Sequence, residues 1–335
     1  MSSRQFPQRG LPRNHRVRKA RIRRATQTGD NVLRALSAAA ALVAVLVLVG
    51  VVYQLIDNAR PSLSRFGIGF LVHSVWRPNF HEFGAGALIY GTAVTSLIAL
   101  LVATPLGIGI GLYLSMMAPR AVRRIIGPLV EMLAAIPSVI LGFWGVLVLA
   151  PFVSKHLEPW LHDTFGFIPI FGAPQTTGLS LMTAGLILSV MVLPIVASLS
   201  RDLFSTVPSE LTQGAEALGA TRWEVIRGVV LPTTSSGVAA AVVLGLGRAL
   251  GEAIAVAQVI GDGTGIHTSL FHPAATLTSR IALQFQETTP HTLYAGALFH
   301  LALILLVINL ATTLIARAIA GRFDVQRRYA RAATA

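Results

Sequence analysis

Uncharged stretches dominate the chain: 35–56, 83–119, 132–154, 164–200, 228–247 and 288–316 carry no Asp, Glu, Lys or Arg. A helix needs about 20 apolar residues to cross the hydrocarbon layer of a bilayer, and each stretch is long enough. Trimming them at Gly, Pro and polar edges predicts six spanning helices near 35–56, 88–116, 125–150, 178–200, 236–260 and 294–317. The fifth is unusual, because its apolar pattern is interrupted by Arg248 and Glu252 and resumes through Ile260. Connections 57–87 and 261–293 are long and polar, and 151–177 is dense in Gly, Pro and aromatics. Within 261–293, TLTSRIALQFQE spaces Leu277, Ile281 and Phe285 at helical intervals, predicting a short amphipathic helix lying on the surface.

The segment 201–235 has a different character. Pro208 suits a helix start, Ala, Leu and Glu carry that helix to a stop at Gly219, and Thr221 with Glu224 forms a capping box for a second helix running to Pro232. Connectors between spans need only a few residues, so more than thirty structured ones predict a docking surface.

Composition agrees with the pattern: 53% of residues are hydrophobic and 12% charged, too little polar surface for a water-soluble fold. The basic residues then orient the spans. Ten Lys or Arg precede residue 35, three lie in the turn at Arg120, Arg123 and Arg124, three in 201–235 and five from Arg317 onward, against five in the opposite connections. Basic residues favour the cytoplasmic side, so both termini are expected there, in a multi-pass protein of the bacterial cytoplasmic membrane. The net charge of +13 thus sits largely in cytoplasmic flanks, where it suits anionic lipid at the basic tails and not nucleic acid. A 22-residue uncharged run with no small-residue cleavage site after it reads as a first span, not a secretory signal. The expected organisation is a tail over 1–34, a first helix over 35–56, an extracytoplasmic loop over 57–87, a core over 88–319 and a second tail over 320–335.

Two lysines, Lys19 and Lys155, are present and neither follows glycine, so the chain has no GxxxxGK[ST] phosphate loop. If ATP drives this protein, another subunit binds it. No cysteine, HExxH helix or catalytic triad occurs, and no enzymatic activity is expected. His267, His272 and Asp262 share a loop, but their spacing matches no metal-ligand pattern and they read as solvated.

Charges inside a spanning helix are costly and point to function. Arg248 and Glu252 lie one turn apart on one helical face, where they can partly neutralise each other, and Gly247 with Gly251 forms a GxxxG pair that lets a neighbouring helix approach. Two readings stand: the pair lines a path for an anion, with Glu252 moderating the field of Arg248, or it locks two helices together. A third charge, Glu131, opens EMLAAIPSVILGFWG, read either as a buried group or as a snorkelling one. There Pro137 is expected to kink the helix, and Ser138 to satisfy a freed carbonyl or line a path.

Segment 201–235 resembles the EAA loop of ABC importer permeases: Leu231 and Pro232 match its end, Gly219 its glycine, and Gln213, Gly214 and Ala215 stand where EAA is expected. The leading acid is replaced, with Glu216 three residues on. Further stretches, GALIYGTAVTSLIALLVATPLGIGIGLYLS, IPSVILGFWG, LGLGRALGEAIAV and TLTSRIALQF, are similar to the permease subunit of high-affinity phosphate importers, the PstC type. The resemblance implies an all-α type I ABC importer permease of six transmembrane helices. It implies a PstA-like second permease, two ATP-binding subunits and an extracytoplasmic phosphate-binding protein as partners. It also implies no cofactor in this chain, ATP being bound by the partner subunits. Arg248 and Glu252 then fall on the phosphate path, and residues 208–232 on the coupling helix seated in an ATPase cleft. The rivals are a permease for another oxyanion (sulfate or molybdate), a secondary transporter working alone and, more distantly, a membrane enzyme.

Overall fold

The computed structural model describes residues 13–322 of the 335, with side chains described from residue 30 to 318. Much of the two basic tails, and their expected contact with anionic lipid, therefore lies outside the described residues. Ten helices carry the argument: α1 (Arg13–Phe66), α2 (Gly86–Met117), α3 (Arg120–Ala134), α4 (Ser138–Phe165), α5 (Leu181–Ser205), α6 (Ser209–Ala217), α7 (Arg222–Gly251), α8 (Ile254–Val259), α9 (Leu277–Gln284) and α10 (Leu293–Arg322). Of these, α1, α2, α4, α5, α7 and α10 are long and apolar enough to cross a membrane. Six spanning helices are thus present among the described residues, where the architecture is all-α apart from a short ribbon pairing Trp76–Arg77 with Glu82–Phe83 and an isolated bridge between Gly261 and Ala274.

The chain divides into two compact units, residues 1–54 and 55–335. In the first, the apolar side chains from Val32 to Val51 are exposed, a surface suited to lipid. The second unit is organised around α5, whose most apolar window is 72% buried against 22–28% for α2, α4, α7 and α10. Leu181, Ile187, Leu188, Val192 and Val196 of α5 meet Ala99 and Ala103 of α2, Ala249 of α7 and Val256 and Val259 of α8. The close approach of α2 and α5 depends on glycine: a Cβ at Gly185 would lie 2.6 Å from Ile98. Gly185→Leu is therefore expected to destabilise the fold by at least about 1–3 kcal/mol, read as a lowered melting temperature of the purified complex. A second cluster, at the end opposite α6, joins Phe70, Trp76 and Phe83 to Leu277, Leu298 and Leu301. There His300 of α10 stacks on Phe70 at 4.1 Å and shares a 3.1 Å hydrogen bond with Ser62.

Several boundaries move from their expected places. α1 continues through Pro61 to Phe66, so the connection expected from residue 57 begins about ten residues later. The third span is not 125–150. Pro137 breaks the helix instead of kinking it, and α4 runs from Ser138 to Phe165, into the segment expected to be a loop. The helix continues past Lys155 and Glu158, and the buried Glu158 accepts the Gln175 N–H on Oε2 at 2.8 Å. Glu131 consequently sits outside a span, exposed on α3, where Oε1 accepts from Arg201 Nη2 at 2.8 Å. That bond ties α3 to α5. Ser138, in the first turn of α4, makes no hydrogen bond among the described residues and does not satisfy a freed carbonyl.

Segment 201–235 folds as a helix, a turn and a helix. α6 ends in a Schellman closure, with Ala220 N–H donating to the Ala215 carbonyl at 3.1 Å and Gly219 N–H to the Glu216 carbonyl at 2.9 Å. Gly219 takes φ +88°, a left-handed value that glycine adopts without steric cost. The expected capping box is present: Thr221 N–H donates to Glu224 Oε2 at 2.7 Å and Glu224 N–H to Thr221 Oγ1 at 3.4 Å. Pro232 does not end the second helix. A wide π turn over Ile226–Val230 precedes Leu231 and Pro232, and α7 passes through both without interruption. The wide turn just before it lets the helix continue past a residue that has no N–H to donate to the preceding turn. Phe204, Val225, Val230 and Val238 pack this segment onto the end of α5. Gln213, Gly214 and Glu216 remain exposed, with Leu218 at 91% and Trp223 at 63% exposure.

Candidate functional site

The polar centre of the fold is a helix break. α7 stops at Gly251, Glu252 is extended (φ −74°, ψ 121°), and α8 restarts at Ile254. The expected continuous helix, with Arg248 and Glu252 paired across one turn, is therefore replaced. Glu252 turns forward instead: its Oε1 accepts the Ala255 N–H at 3.4 Å, capping α8, and its carbonyl accepts from Thr278 Oγ1 at 2.8 Å. Among the described residues Arg248 forms neither an ion pair nor a hydrogen bond. It is an unpaired guanidinium with five donors available.

Both residues line a cavity of about 740 Å³. Its wall on α7 runs from Ala240 to Glu252, about 18 Å of helix. Ile195 of α5 and Thr313 and Arg317 of α10 complete it. Gly247 and Gly251 also face this space, and nothing lies within 4 Å of where their Cβ atoms would be. They do not seat a neighbouring helix of this chain, as the GxxxG spacing suggested, but leave one face of α7 bare. With Arg248 and Arg317 against Glu252, the charged lining has an excess of one positive charge, suited to a small anion.

Of the other expected residues, Ser138 and Glu131 do not line this cavity. Arg317 and Thr313 belong to it although sequence reasoning assigned Arg317 to a basic flank. Their spacing of four residues at the end of the last span was the available signal. Asp262 is held away from His267 and His272, whose rings stack at 4.5 Å, and pairs with Arg280 at 3.1 Å. Burial pushes the Asp262 carboxyl up, an effect Arg280 only partly offsets, and pulls the Arg280 guanidinium down. Arg280 is 2% exposed, so the helix expected to lie on the surface has its first turn, Leu277 to Arg280, buried in the protein. Its later residues Ala282 and Leu283 are exposed, as is Phe285 just beyond it.

Residues 103–325 match the model of the binding-protein-dependent transport system inner membrane component family. A phosphate transport system permease protein PstC of Mesorhizobium japonicum is 44% identical over 95% of this chain and 98% of its own. The chain belongs to the binding-protein-dependent transport system inner membrane component family. Within that family, PstC of Pasteurella multocida is 42% identical over 83% of this chain and 88% of its own. Among solved structures, a bacterial alginate ABC transporter in complex with its alginate-loaded periplasmic protein contains a chain of the same fold. Its TM-score is 0.58 at 18% identity, covering 87% of this chain and 95% of that one. The six spans are thus those of a multi-pass type I ABC importer permease, one component of a multi-subunit transporter.

Proposed function

We propose that this chain is the permease subunit of an ATP-driven importer of inorganic phosphate. The observation that carries the reading is the unpaired Arg248 in a cavity with excess positive charge, in a chain 44% identical to a phosphate permease. A guanidinium keeps its charge at any physiological pH and can bind phosphate oxygens in pairs. Unpaired, it contributes all its donors to a visiting anion. Glu252, facing the same space, keeps the field weak enough for that anion to leave. Arg317 and Thr313 provide further polar contacts along the same wall.

In this reading a PstA-like permease covers the bare glycine face of α7, and an extracytoplasmic phosphate-binding protein delivers its ligand at the end carrying α9. Two ATP-binding subunits hold the ATP and dock on Gln213, Gly214, Ala215, Glu216 and Gly219, in a unit with Leu231 and Pro232. Exposed Trp223 beside those residues supports a docked surface, because tryptophan is enriched among the side chains that anchor interfaces. Both termini then lie in the cytoplasm, and closure of the ATPases switches the cavity between the two sides. The chain itself catalyses no covalent step.

Phosphate-dependent ATPase activity of the reconstituted complex tests the assignment, with sulfate as competitor. Stimulation by phosphate that excess sulfate leaves unchanged is expected. Stimulation by sulfate or molybdate instead would reassign the substrate to another oxyanion. Uptake by the purified single chain would replace the ATP-driven reading with a secondary transporter.

A further inference from the structure

Beside Arg248, the cavity is shaped by a backbone turn whose one local side-chain tie is the long 3.4 Å bond from the Ala255 N–H to Glu252 Oε1. No proline stands at residues 251–253, and the break at Glu252 leaves terminal carbonyls of α7 without the donors a continuing helix would supply. One of the exposed acceptors, the Glu252 carbonyl, receives Thr278 Oγ1 at 2.8 Å. Thr278 is 7% exposed and comes from α9, twenty-six residues further on.

Thr278 is itself firmly held. Thr276 caps α9 and exchanges bonds with Ser279, whose N–H donates to Thr276 Oγ1 at 3.1 Å. Leu277 N–H donates to Thr92 Oγ1 of α2 at 2.9 Å. Two residues on, Arg280 is clamped to Asp262. The buried first turn of α9 is therefore a firm mount, and the Thr278 hydroxyl, 3.1 Å from Thr276 Oγ1, hydrogen-bonds it to the break. Because the Glu252 carboxylate leaves the same residue whose carbonyl Thr278 holds, the direction of the one depends on the other. A hydroxyl bonded to a carbonyl is the kind of contact that stabilises non-helical backbone lining a cavity.

We propose that Thr278 is a positioning residue for Glu252: it fixes the turn after α7 and thereby sets how the carboxylate faces the anion cavity. The far-end segment 276–280 thus controls the polar lining of the path, although none of its side chains lines the cavity. The proposal rests on the phosphate reading above.

The test compares Thr278→Val, which keeps the branched shape and removes the donor, with Thr278→Ser, which keeps the donor, in the full transporter with its second permease, ATPases and binding protein. Loss of one hydrogen bond predicts a fall of about five- to tenfold in maximal uptake of inorganic phosphate for Thr278→Val, with KM moving less and the complex recovered at wild-type yield. Thr278→Ser is expected within about twofold of wild type, since the bond is retained. In a Glu252→Gln background Thr278→Val should add no further loss, because both act through one residue. Equal impairment by Val and Ser, an unchanged Val variant, failure of the Val variant to assemble, or losses that multiply in the double variant would each overturn the proposal. Absence of any phosphate response in the wild-type complex would instead refute the substrate reading; the same comparison would then be made with sulfate.

Discussion

Replacing Arg248 with glutamine is expected to lower phosphate uptake by about ten- to a hundredfold or more while the transporter still assembles. The lower figure follows from losing one charge-assisted hydrogen bond, worth about 1.5–3 kcal/mol, and a bidentate contact loses more. Assembly should survive because Arg248 bonds to nothing else among the described residues, so its removal strands no partner. Arg248→Lys should recover only part of the rate, since an ammonium keeps the charge and loses the planar fork. The measurement is uptake into proteoliposomes beside quantified recovery of all subunits. Loss of the complex would return Arg248 to the helix-locking role that its sequence spacing also allowed.

A second substitution acts in the turn just before the other end of α7. Gly219→Val should uncouple transport, reducing phosphate-stimulated ATPase activity severalfold or more with basal hydrolysis retained. At φ +88° a β-branched residue is a genuine outlier, and the left-handed region costs ordinary residues about 1–2 kcal/mol. Since α6 is closed by that residue, the strain falls on the angle between α6 and the start of α7, which sets how the docking surface is presented. Gly219→Asn, which tolerates the conformation better, should be milder. Wild-type stimulation in the valine variant would remove Gly219 from the coupling role.

The number of spans and the segment between the fourth and fifth were legible in the sequence because both rest on strong local signals: long uncharged runs, a capping box and a helix-stopping glycine. Boundaries were less legible where a charge is satisfied by a remote partner. Glu158 lies buried within a helix and accepts an N–H from Gln175, seventeen residues away, a contact that apolarity alone does not encode. The site was legible in part. Arg248 stands out as a charge in a span, but its separation from Glu252 depends on Thr278, and a regular 3.6-residue period carries no trace of a turn held from outside. Arg317 was hidden for the opposite reason: a base at the end of a last span already has an ordinary explanation in membrane orientation.

The uninterrupted passage of α7 through Pro232 also constrains how this protein can change over evolutionary time. Between the docking turn at Thr221 and the break after Gly251 the chain is one rod, so one residue added or removed along it would rotate Arg248 by about 100° relative to its base. Such a change would aim the guanidinium into a neighbouring helix or lipid while leaving hydropathy almost untouched. Length variation should thus be purged from α7.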